Sequence, residues 1–410
     1  MNVDQLLRAS LKEQADEVEP ASADLADRVL AGRARRRTRR LASTAVAVAA
    51  LTAAAVTVPR ALDSGSDAQS PAARSVTAHD VTGHPDQSPP RELIAAGDTA
   101  VAAWFTTDWE EQPNGDRDQV RSYHLYDAGT GRYTPAADWS YVSVAPGLRT
   151  AAVLERDLPA RRIGLVDLRT GEVTRWIAVD RPVGSAEFSP DGKKLLVTTY
   201  DRNPDHYSQD TPLGVDGKDE PGPDASRTGF GLVDVASGAA SWHTKKEKAD
   251  PLYQAFALGR SDFVWSHDGK WVFGQLADMK THFFDLDGAS VPRPASEQGT
   301  EVYTAGPAPD GKRAGGDFAG RGKEISSWIV DPGTGRKLGT VPAQQLLTWA
   351  DNDRLIGWSC DPAACRGKNE FRNRLVLVET GKKTVTPLSG FRPASADGPR
   401  RWTPVFAGRR

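Results

Sequence analysis

The stretch SPDGKKLLVTTYD, Ser189 to Asp201, reads as a turn followed by a strand. Asp191 and Gly192 supply the acid-then-glycine pair of a tight turn, and the apolar and β-branched residues after them suit a pleated sheet. The same signature recurs along the second part of the chain. Aligned on its small residue it reads IAAGDTAVAAWF at Ala95, VAPGLRTAAVLE at Ala145, FSPDGKKLLVTT at Ser189, WSHDGKWVFGQL at Ser266, PAPDGKRAGGDF at Ala308 and WADNDRLIGWSC at Ala350. A second signature follows each copy: SYHLYDAGTG, RIGLVDLRTG, FGLVDVASG, THFFDLDG, SSWIVDPGTG and RLVLVETGKK. Each is an apolar strand that ends on an acid (Asp127, Asp167, Asp234, Asp285, Asp331 or Glu379) and then turns on glycine.

The anchors of the first signature are 50, 44, 77, 42 and 42 residues apart. A period of about 40 to 50 residues with several strands per repeat is the mark of a β-propeller. Helical periodicity is not sustained anywhere in this part of the chain, so an α/β fold is excluded. The long interval contains NPDHYSQDTPLGVDGKDEPGPDASR, residues 203–227, a polar, turn-rich segment. It is predicted to be a loop inserted between two strands of the third repeat.

SPDGK before a strand and LVDLRTGE after it resemble the repeats of WD40-like propellers of the TolB type. The layout of the chain is similar to that of single-pass actinobacterial membrane proteins carrying such a propeller outside the cell. The resemblance covers about residues 91–390 and implies an all-β, six-bladed propeller, or seven blades if VTAHDVTG and the C-terminal tail form a divergent one. It implies no particular activity, because this fold hosts scaffolds, receptors and enzymes alike. The Trp-Asp dipeptide of WD40 blades does not stand at the repeat positions, so that subfamily's histidine–aspartate network is not implied.

The N-terminal part points to a membrane. AGRARRRTRR, residues 31–40, carries six arginines, and the uncharged run LASTAVAVAALTAAAVTV, residues 41–58, follows. Eighteen residues of helix span about 27 Å, close to the thickness of a bilayer core. The arginines place the N-terminus in the cytoplasm and everything after Val58 outside. About 40 residues precede the run, too many for the short leader of a cleaved signal peptide, which favours a retained anchor. The expected layout is a cytoplasmic helical segment at 1–40, a transmembrane helix at 41–58, a flexible stalk at 59–90 and the propeller at 91–410. The segment 1–40 offers two short amphipathic stretches that either dock a cytoplasmic protein, as anti-sigma regulators do, or form a solvated tail.

The 410 residues hold 52 basic and 54 acidic side chains, a net charge of −2, which excludes nucleic-acid binding through bulk positive charge. Cys360 and Cys365 bracket a short loop in the last repeat and are predicted to form a disulfide outside the cell. The sequence lacks HExxH, GxSxG and a phosphate-binding GxxxxGK[ST] loop, which favours a binding or sensing module over an enzyme. A calcium-dependent propeller enzyme is the competing expectation, with the acids of the insertion as conceivable calcium ligands, although without EF-hand spacing a solvated loop is the simpler reading. Otherwise neither cofactor nor metal is expected. Phe188, Trp265 and Trp349 occupy one position of the repeat and read as core. Trp109 and Trp139 stand outside that column in loop-like context. With Tyr200, Asp201, His206 and Tyr207 at the entry to the insertion, they form the candidate surface for a protein or cell-envelope ligand.

Overall fold

Strand follows strand across short turns in the computed structural model, which describes residues 80–215, 218–245, 260–298, 304–320, 324–361, 372–393 and 401–410, with residues 301, 363 and 365. The expectations for residues 1–79, including the cytoplasmic helices, the span at 41–58 and most of the stalk, lie outside the described residues. Among the described residues no helix is long and apolar enough to cross a membrane.

The turn at Ser189 shows why the repeats form. Ser189 Oγ donates to Asp191 Oδ1 (2.6 Å), the same oxygen accepts from the Lys193 N–H, and the Gly192 N–H closes onto Ser189 O. Gly192 lies at φ 71°, a conformation glycine adopts without steric cost. The same bonds recur at Ser266, Asp268 and Gly269, and in part at Asp310 and Gly311. The acids at the strand ends likewise accept backbone N–H bonds within their own turns, as Asp127 does from Gly129 and Asp331 from Gly333. In each of these turns it is Oδ1 of the carboxylate that accepts the backbone N–H and serves the chain reversal.

The first strands are β1 (Val81–Thr82), β2 (Ala95–Ala96), β3 (Thr99–Glu111), β4 (Arg117–Asp127) and β5 (Arg132–Ala136). Next come β6 (Trp139–Val144), β7 (Thr150–Glu155), β8 (Ala160–Asp167), β9 (Val173–Phe188) and β10 (Lys194–Tyr200). The insertion forms β11 (His206–Val215) and β12 (Lys218–Pro223), followed by β13 (Arg227–Asp234) and β14 (Ala240–Thr244). Three four-stranded sheets complete the series. They are β15 (Val264–Trp265), β16 (Val272–Gln275), β17 (Thr281–Phe284) and β18 (Ser290–Val291); β19 (Gly306–Pro307), β20 (Ala314–Phe318), β21 (Ser327–Val330) and β22 (Lys337–Val341); and β23 (Gln345–Trp349), β24 (Arg354–Cys360), β25 (Asn373–Glu379) and β26 (Val385–Pro387). The last strand is β27 (Thr403–Gly408).

A seven-stranded sheet, β6-β7-β8-β9-β10-β13-β14, is two four-stranded units sharing β9. Val173 to Ala178 pair with β8, and Val183 to Phe188 pair with β10. The first sheet holds β3, β4 and β5, and β27 returns from the C-terminus to pair antiparallel with β3, Thr403 opposite Phe105 through Gly408 opposite Thr99. Neither β1, which pairs only with β2, nor β27 forms a separate sheet.

Val144 of β6, Phe188 of β9, Trp265 of β15, Pro307 of β19, Trp349 of β23 and Phe406 of β27 all line one cavity of about 710 Å³. The inner strand of each unit therefore faces a common axis, the arrangement of a β-propeller. Apolar clusters fill the junctions between neighbours, such as Leu196, Phe230, Phe263 and Val272, with about 1.5–3 kcal/mol for each large side chain taken from water. The tryptophan column adds hydrogen bonds across two junctions. Trp265 Nε1 donates to Glu187 O and Trp349 Nε1 to Gly306 O.

Residues 80–90, expected in the stalk, pack onto the domain instead. Asp80 pairs with Arg354, His84 bridges to Ser389, and Gln87 is buried with its side-chain oxygen accepting from the Arg91 N–H. Cys360, the last residue of β24, is bonded to Cys365 with the two Cα atoms 5.6 Å apart.

Candidate functional site

In a propeller the turns after inner strands emerge at one end of the channel, and the segments leading into inner strands emerge at the other. The insertion connects β10 to β13, so it stands at the second end, together with residues 260–262 that lead into β15. Predicted as a loop, it is a hairpin. β11 also pairs with β4 of the first sheet, His206 opposite Asp118 and Tyr207 opposite Arg117, so the insertion extends that sheet to the order β3-β4-β11-β12.

Its root is held by ions. Asp205 is 4% exposed and both its oxygens are engaged. Arg121 donates to them at 2.7 and 3.0 Å, and Arg260 at 2.7 and 2.7 Å. Burial alone would push the Asp205 carboxyl up, but Arg260 and then Arg121 hold it below the ordinary carboxylate range. Arg260 continues to Asp262 Oδ2 (3.1 Å) and to Gly184 O (2.7 Å). Tyr200 donates its hydroxyl to Asp262 Oδ1 (2.8 Å). Beneath the network, Glu187 faces the channel. Burial, and then the charge of Asp262, pushes its carboxyl up to about 7.

The candidate surface residues fall into three settings. Trp109, 37% exposed, meets Tyr207 edge-on at 4.8 Å, and the Arg117 guanidinium lies 4.4 Å over the indole. Beside them His206 Nδ1 stands 2.7 Å from Asp118 Oδ1, and its Nε2 is 3.4 Å from Asp116 Oδ2. The Gln209 backbone N–H, donating to Asp116, holds that carboxyl below its usual range. Trp139 borders an adjacent groove of about 310 Å³, lined by Asp118, Gln119, Arg156, Asp157 and Asn203 among others. Asp201 is exposed at the root of the hairpin, 3.6 Å from Arg202.

Tyr200 is different. It is 0% exposed, enclosed beneath the insertion with its hydroxyl committed to Asp262, so it supports the face and presents nothing to a ligand. The acids of the insertion also differ from a calcium loop. Glu220 pairs with Arg117, Asp224 with Arg202 and Asp205 with two arginines, so these carboxylates already have cationic partners. The sequence reading missed Arg121, Arg260, Asp262 and Glu187, which no linear motif marks. Among the described residues, the group with donor spacing suited to a metal is His267, Asp268 and Glu297, at the opposite end of the channel.

No protein-family model matches this chain, and no curated protein matches it. Among solved structures it is similar to TolB from Acinetobacter baumannii (14% identity, covering 72% of this chain and 67% of that one, TM-score 0.35). It is similar also to an oligogalacturonate lyase in complex with manganese (14% identity, 76% and 86% covered, TM-score 0.40). A third is Kuenenia stuttgartiensis hydrazine synthase (17% identity, TM-score 0.33), where the match covers 61% of this chain and spans 66% of the length of that one. The propeller assignment rests on this chain's own strand pairing and channel.

Proposed function

We propose that this protein is a six-bladed β-propeller, closed by β27, that is anchored by residues 41–58 and acts outside the cell as a binding or sensing module. Its recognition surface is the β11–β12 hairpin with Trp109, His206 and Tyr207, together with the polar groove beside Trp139. The observation that supports this most directly is the fixing of the insertion. A solvated loop needs no buried carboxylate clamped by two arginines, whereas a surface that must be presented in one geometry does. The exposed indole, the tyrosine and the stacked arginine are residue types that anchor interfaces, and the mixed charges of the groove suit a polypeptide or saccharide of the cell envelope.

Photo-crosslinking in intact cells tests the reading. Benzoylphenylalanine placed at Trp109 or Tyr207 is expected to give a discrete adduct, and the same group at Lys382, in a turn at the other end of the domain, is expected to give none. If positions 109 and 207 yield no adduct, or only what position 382 yields, this face is not the recognition surface.

A further inference from the structure

His267 and Asp268 occupy the turn after β15, and Glu297 is the last residue of a one-turn 3-10 helix, Ala295–Glu297, that precedes β19. All three line the 710 Å³ cavity, and one donor atom from each lies within 4.8 Å of the others. Glu297 is the unusual member. It is 0% exposed, and neither carboxylate oxygen has a hydrogen-bond partner in the protein. His267 Nδ1 is also unpartnered and stands 3.6 Å from Glu297 Oε1. A carboxylate removed from solvent without a donor is strongly disfavoured, and buried charges are found paired or coordinating a metal. Asp268 is partly engaged: Oδ1 accepts from Ser266 Oγ (2.9 Å), and Oδ2 pairs with Lys270 Nζ (2.8 Å) at the surface.

We propose that His267, Asp268 and Glu297 bind a divalent first-row transition ion of the Zn²⁺ or Mn²⁺ class at this mouth of the channel. Two carboxylates offset the charge of the ion, and the imidazole supplies the nitrogen that separates these metals from Ca²⁺ and Mg²⁺, which prefer all-oxygen shells. Metal–ligand distances of about 2.0–2.2 Å require the three donor atoms to draw together by about an ångström, which side-chain rotation supplies. Three protein ligands leave coordination positions directed into the cavity, where a ligand atom or water completes the shell. Binding displaces Lys270 from Asp268 and fastens the 3-10 helix to the turn after β15. The site is separate from the insertion, at the opposite end of the same inner strand from Arg260 and Asp262.

The test uses the full-length protein stripped with EDTA and titrated calorimetrically with ZnCl₂, MnCl₂ and CaCl₂. One ion per chain is expected, with Zn²⁺ or Mn²⁺ at least about tenfold tighter than Ca²⁺, and a rise in Tm on loading. Glu297→Gln, which keeps the side-chain volume, should weaken binding at least about tenfold. Asp268→Asn gives a second variant with less demand on the buried interior, and anomalous diffraction from the loaded wild-type protein locates the ion without any substitution. Failure to bind, wild-type affinity in both variants, or an anomalous peak away from Glu297 overturns the proposal.

Discussion

Asp205 has both carboxylate oxygens committed to guanidinium groups from two directions, Arg121 on β4 and Arg260 at the entry to β15. Removing Asp205 takes from Arg121 its carboxylate partner and leaves Arg260 only Asp262 and Gly184 O, and breaking a buried pair in this way costs about 3–5 kcal/mol. Asp205→Ala is therefore expected to lower the unfolding free energy by about that amount in urea denaturation, whereas a loss below about 1 kcal/mol would mean that solvent reaches the pair. Glu187 behaves in the opposite sense. Its carboxyl is pushed up to about 7 in the folded protein, against an ordinary value of 4.5, so the folded state retains a proton that the unfolded state releases between those pH values. Below about pH 4.5 the group is neutral in both states and adds no penalty; stability falls as pH rises from about 4.5 to about 7, and the full penalty is present above that. Because part of its surface opens to the channel, the penalty is about 1–2 kcal/mol. Glu187→Gln should raise Tm at pH 8 and leave it nearly unchanged at pH 4.5. An equal gain at both values would show that the charge is not the cause.

At the scale of the element, the turns were legible because their chemistry is local. Asp191 and Gly192 lie within three residues of the groups they bond, so five consecutive letters specify the reversal. The strand acids Asp127, Asp234 and Asp331 were legible for the same reason. The insertion was not. Its polar, turn-rich composition suits a loop, and what makes it a hairpin on β4 is the pairing of His206 with Asp118 and of Gln209 with Asp116, groups 88 and 93 residues apart. Tyr200 was misjudged on the same ground. As the last residue of β10 it reads as a lead into an exposed segment, yet Asp262, 62 residues later, captures its hydroxyl and the fold closes over the ring. Glu297 carried no signal at all, since nothing in Ala295–Glu297 distinguishes a buried carboxylate from a surface one.

For the whole molecule, closure of the ring joins the two ends of the domain. β27 supplies the inner strand beside β3, and Trp402, 0% exposed just before it, packs on Trp358 and donates Nε1–H to Ser88 Oγ. Deleting residues 403–410 should uncover the edge of β3 and part of two apolar clusters, so a broad, less cooperative melt with association through the open edge is expected in calorimetry and light scattering. A sharp, unchanged transition of a monomer would show that closure does not depend on this strand. The sequence by itself determined the repeat, its turns, its inner aromatic column and the position of the insertion, because each is written in residues that touch within one turn or recur at a fixed period. Only the tertiary structure decided which distant side chains share a site: the Arg121–Asp205–Arg260 clamp at one mouth of the channel and His267, Asp268 and Glu297 at the other. Those groupings arise where separate sheets converge on the axis, and convergence is a property of the closed ring that no single segment encodes.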